Sequence, residues 1–96
     1  MKLPKEVTVG RTRYRVTSPV EIKDCRGIVD YDLQLIQVAK QNAYGAYTTA
    51  ERDETFWHEL THAILDDMGE DKLTRNEKFV TAFSQRLDKA IRTAKF

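Results

Sequence analysis

Polar and apolar residues alternate over residues 6–9, where Val7 and Val9 share one side, and over 12–17, where Tyr14 and Val16 do. Gly10-Arg11 between the two runs is a turn signal, so the pattern predicts a β-hairpin. Arg11, Arg13 and Arg15 then lie on the opposite face, which reads as solvated sheet surface in preference to a strip for an anionic partner. Ser18-Pro19 breaks the alternation, and residues 20–26 are open to a loop, a short strand or one helical turn. Residues 27–31 read as a strand, turn formers fill 30–33, and residues 34–39 carry Ile36 and Val38 on one side. This predicts a second hairpin and a sheet of about four strands, mostly antiparallel. Residues 40–47 are polar apart from Tyr44, Tyr47 and two alanines, and predict a loop.

The period then lengthens. Thr48 and Glu51 have the spacing of a capping box, which opens a helix. Phe56, Leu60, Ala63, Ile64 and Met68 recur at helical steps to about residue 68, and Gly69 is a helix stop. After the charged connection 69–73, Thr74-Arg75-Asn76-Glu77 offers another capping box. Val80, Phe83, Leu87, Ile91 and Ala94 mark the apolar face of a second long helix to about residue 93. Arg86, Lys89, Arg92 and Lys95 near its end suit the helix dipole and need no nucleic acid to explain them. The pattern predicts an α+β fold in a single domain, residues 1–96: a small sheet, a motif helix and a C-terminal helix.

Composition narrows the class. The chain has 96 residues, 41% hydrophobic and 32% charged, with a formal net charge of +1. That is a globular balance with no global field to draw nucleic acid or an anionic membrane. No apolar run is long enough to span a bilayer, and residues 1–6 lack the apolar segment of a signal peptide. The single cysteine, Cys25, has no internal partner, which favours a reducing cytoplasmic setting and a plain free thiol.

One stretch carries chemistry. His58-Glu59-Leu60-Thr61-His62 reads HExxH inside the first helical pattern, and it holds both histidines of the chain. On a helix, residues at i and i+4 project from one face, so two imidazoles can reach one Zn²⁺. Glu59 is rotated round the helix and can approach a water without ligating the ion. Zinc lowers the pKa of such a water, and a neighbouring carboxylate can take its proton. Three fixed positions match by accident in roughly a few per thousand chains of this length.

A catalytic zinc needs a third protein ligand, and no third histidine exists. Asp66, Asp67, Glu70, Asp71 and Glu77 are the carboxylates after the motif. Glu77 falls near the edge of the second helix's apolar stripe and would point to the histidines if the helices pack side by side. Its other reading is that it only completes its capping box. Asp66, at i+4 from His62, is open to two readings: a hydrogen bond to a ligand imidazole, or a solvated helix end. Tyr44 and Tyr47 lead into the motif helix. Either is a candidate donor to an oxyanion or a substrate contact, beside the plainer reading that their rings cover the core edge.

Residues 55–65, Thr-Phe-Trp-His-Glu-Leu-Thr-His-Ala-Ile-Leu, with Asn76-Glu77-Lys78-Phe79-Val80, resemble small zincin-like metallopeptidases encoded by phages and prophages. SprT-like and other gluzincin-type domains are similar more loosely. The likeness is specific over residues 55–83, weaker over 27–38, and does not reach residues 1–26. It implies a minimal zincin with ligands His58, His62 and Glu77 and with Glu59 as base. The chain lacks the cysteine-rich ribbon and extra lobe of longer relatives. The function expected is a zinc-dependent peptidase whose peptide or protein substrate lies extended along the sheet edge near residues 34–38. The alternatives are a zinc-stabilised binding module acting on a host or phage protein, and a metal-free α+β interaction domain.

Overall fold

Alternation sets the two hairpins. In the computed structural model, which describes all 96 residues, Glu6–Val9 (β1) pairs antiparallel with Thr12–Thr17 (β2), Val7 opposite Tyr14. Gly10 turns the chain at φ +59. That left-handed conformation favours glycine, and the exposed Asp67 carboxylate at the end of the first long helix lies close against it. Arg11, Arg13 and Arg15 are exposed, as a solvated face requires. Gly27–Asp30 (β3) and Leu35–Val38 (β4) form the second hairpin. In its turn the Leu33 N–H donates to Asp30 Oδ1 at 2.9 Å.

The strand order is β1-β2-β4-β3, and β2 and β4 run parallel, Val16 opposite Ile36. The sheet is therefore mostly antiparallel with one parallel pair at its centre. Residues 18–26 form no strand or helix. They carry the chain past the place that β4 fills, so β3 takes the outer edge and β4 folds back inside. This corrects the expectation that residues 34–38 offer an edge to a peptide. The backbone of β4 is committed to strands on both sides.

The polar loop expected at 40–47 is a small ribbon. Gln41–Asn42 (β5) pairs with Gly45–Ala46 (β6), and the Asn42 side chain accepts from the Tyr44 N–H at 2.8 Å.

Thr49–Asp67 (α1) begins at the predicted capping box. Thr48 Oγ1 accepts from the Glu51 N–H, and the Glu51 carboxylate accepts from the Thr48 N–H. Asp71–Thr74 (α2) adds one turn inside the connection, and Glu77–Thr93 (α3) follows. The second capping box is not formed. Asn76 caps α3 by accepting from the Phe79 N–H at 3.0 Å, and Thr74 is left free for another partner.

The layers are sheet, α1, α3. The first helix packs on β1, β3 and β4 and on both other helices, whereas α3 touches only helices. The core joins Val9, Tyr14, Ile36, Val38, Phe56 and Ala63. Each large apolar side chain fully buried there contributes about 1.5–3 kcal/mol. Because α1 is covered on two sides, its buried set is wider than the predicted stripe and includes Asp53, Thr55, Glu59, Thr61 and Leu65. Ile64 and Met68 are exposed instead. The third helix needs only one narrow buried face, formed by Val80, Ser84 and Asp88. Phe83 and Ile91, predicted inside, are exposed, and Phe83 stacks on Phe79 at 5.9 Å between centroids. No helix is long and apolar enough to cross a membrane.

Candidate metal centre and its cleft

Helical spacing puts His58 and His62 on one face of α1, their ring centroids 5.0 Å apart. The third helix begins at Glu77, across from them. Glu77 Oε2 lies 3.0 Å from His58 Nε2, and Glu77 Oε1 lies 2.8 Å from His62 Nε2. One carboxylate thus spans both imidazoles. Of the five acidic candidates, Glu77 alone joins the histidines.

The residues suit a divalent cation. One ligand atom from each of the three lies within 4.8 Å of the others. A tetrahedral zinc site with bonds of about 2.0–2.1 Å has donors about 3.4 Å apart, within a small rotamer adjustment of this arrangement. Two imidazoles and a carboxylate leave a fourth position open.

Behind His62, Thr74 Oγ1 lies 3.0 Å from Nδ1. This corrects the candidate partner Asp66, which is exposed and makes no hydrogen bond to either ring. A hydroxyl both donates and accepts. It can therefore give its proton to Nδ1 while Nε2–H donates to Glu77, or accept from Nδ1–H once Nε2 offers its lone pair to a cation.

Glu59 sits on the same helix but is rotated inward, with 8% of its surface exposed. Burial, and then the charge of Glu77, push its carboxyl up to about 7. Burial also lowers the His58 imidazole, with Glu77 opposing the shift. A divalent cation beside Glu77 would offset that negative charge and favour ionised Glu59.

These groups open into a cleft of about 760 Å³. Its floor is α1, one wall is α3 and the other is the edge strand β3, through Gly27 and Val29. Position 27 has no room for a side chain without a shift of its neighbours. A Cβ would stand 2.6 Å from Thr55 Cγ2 and 3.0 Å from Glu59 Cγ, so a side chain would force the strand off the helix.

Tyr44 and Tyr47 do not reach this cleft. Tyr44 is 97% exposed on the ribbon tip. The ring of Tyr47 lies 5.3 Å from the Arg26 guanidinium carbon. The tyrosine that does line the cleft is Tyr31, just after β3. Burial raises its phenol and a hydrogen bond with Thr74 opposes the shift, which puts its hydroxyl beside the residue that backs His62. Cys25 lines the cleft as well, and burial raises its thiol, in keeping with a thiol that is not activated. Sequence reasoning missed Thr74 because its capping spacing explained it already. It missed Tyr31 because nothing local shows that a hairpin turn reaches the motif helix.

Comparison with family models, with curated proteins and with solved structures found no match to this chain.

Proposed function

We propose that this protein is a zinc-dependent peptidase of the small zincin-like kind that residues 55–83 resemble. The observation that carries the reading is the single carboxylate of Glu77 spanning His58 and His62, with buried Glu59 one residue from the first ligand. Two imidazoles and one carboxylate favour zinc among the common cations. When bound, zinc supplies a Lewis acid for the peptide carbonyl and lowers the pKa of water.

The chain's own residues do the rest. His58, His62 and Glu77 hold the ion, and Thr74 fixes the ring of His62. Glu59 takes a proton from the attacking water and returns it to the leaving amine, from its buried place one residue from the first ligand. Tyr31 donates to the carbonyl oxygen as negative charge develops. An extended peptide pairs with the outer edge of β3, the strand that borders the cleft and has a neighbour on one side only.

The test is a peptide-library digest by zinc-loaded wild type and by Glu59→Gln, with zinc measured in both. The expected result is one equivalent of zinc in each and cleavage by wild type alone. Equal cleavage by the two proteins would refute the mechanism.

A further inference from the structure

The cleft runs on beyond the metal centre. Glu54, His58 and His62 follow one another by one turn along α1, and Glu77, Thr81 and Gln85 do so along α3; all six line the cleft. The rows are joined at both ends. At one end Glu77 meets His62 at 2.8 Å, and at the other Gln85 Nε2 donates to Glu54 Oε1 at 3.1 Å. The bond from the opposite helix holds the Glu54 carboxylate in place.

The Glu54 carboxylate carries its charge without an ion pair, and its second oxygen has no hydrogen-bond partner. Arg26 is the one lysine or arginine lining the cleft. It is committed elsewhere, donating to the Glu51 carbonyl at 2.9 Å and lying over the ring of Tyr47. Asp24 adds a further acid to the lining. One helical turn, about 5.4–6 Å, separates Glu54 from His58. An extended peptide covers that distance in about two residues.

We infer that Glu54, held by Gln85, is a specificity-determining residue that receives a lysine or arginine of the substrate about two residues from the bond cleaved. The inference rests on the peptidase reading above. A basic side chain gains a charge-assisted bond to the free oxygen of Glu54, and an acidic one meets like charge.

Binding without turnover tests it directly. Zinc-loaded Glu59→Gln protein is titrated calorimetrically with acetylated, amidated hexapeptide pools that fix Lys, Ala or Glu at one position. At one position the Lys pool is expected to bind about 10-fold tighter than the Glu pool. Adding Glu54→Gln should bring the two within about 2-fold and leave the Ala pool unchanged, and Glu54→Lys should reverse the order. Glu6→Gln, on the far edge strand, should change nothing. Failure of every pool to bind, or a Lys preference indifferent to both Glu54 changes, overturns the inference. Turnover by wild type is scored separately. A preference that depends on Glu54 with no cleavage by wild type supports the subsite and sinks the peptidase. Cleavage with no such dependence does the reverse.

Discussion

Thr74 stands behind His62, its hydroxyl oxygen 3.0 Å from Nδ1, on the far side of the ring from the nitrogen that faces Glu77. The one-turn helix α2 exists in the place where a simple connection was expected, and its last residue supplies this contact. A partner of this kind sets the ring's orientation and tautomer. Thr74→Val should therefore lower zinc affinity by about 10–100-fold. Competition with a chelating dye measures it, and Thr74→Ser should restore the affinity. Unchanged affinity in the valine variant would show that the ring is held by packing alone.

Glu77 should matter more than any other acid after the motif. Glu77→Ala removes one ligand of three, and the bound ion's contribution to stability should go with it. Thermal melts with and without a chelator provide the measurement. Wild type should lose several degrees on chelation, whereas Glu77→Ala should melt at one temperature in both conditions. Asp66→Ala should behave as wild type.

Gly27→Ala should damage the site from the strand side. The new methyl meets Thr55 and Glu59 side chains and the Gln37 carbonyl oxygen, 3.0 Å away, and two of these three cannot move freely. Overpacking of this kind costs about 1–3 kcal/mol. Denaturant unfolding should show that loss, and cleavage should fall further than stability because Glu59 is displaced. A variant as stable and as active as wild type would show that β3 can retreat without disturbing the cleft.

The start of α1 gives a pH prediction. The Thr48 backbone N–H, and then its hydroxyl, hold the exposed Glu51 carboxyl below its ordinary value of 4.5. A depressed carboxyl contributes stability that is present above pH 4.5 and is lost as pH falls through the lower folded-state value. Glu51→Gln should thus lower Tm slightly near pH 7, converge with wild type once the pH falls below the folded-state value, and so flatten the acid limb of the melting curve. Thr48→Ala, which removes the cap itself, should lower Tm by about 4–8 °C at neutral pH. A Thr48→Ala protein melting with wild type would mean that the first turn of α1 is held by its tertiary contacts.

The sequence by itself determined whatever depends on neighbours along the chain. Alternation at Val7, Val9, Tyr14, Val16, Ile36 and Val38 set both hairpins, because strand side chains change face at every residue. The capping box of Thr48 and Glu51 set the start of α1, and helical spacing put His58 and His62 on one face. Glu77 was legible as one candidate among five because its place on the second helix was periodic. Only the tertiary structure decided between elements. It placed β3 and not β4 at the edge, since strand order depends on where the loop 18–26 carries the chain. It rotated α3 so that Phe83 and Ile91 face outward and Glu77, Thr81 and Gln85 face the cleft, because that helix packs on helices alone. It chose Thr74 and Tyr31 over Asp66, Tyr44 and Tyr47 for the reach of the site. Periodicity fixes which way a side chain leaves its own axis, but what it meets there depends on how two axes cross, and that is settled by burial summed over the whole core.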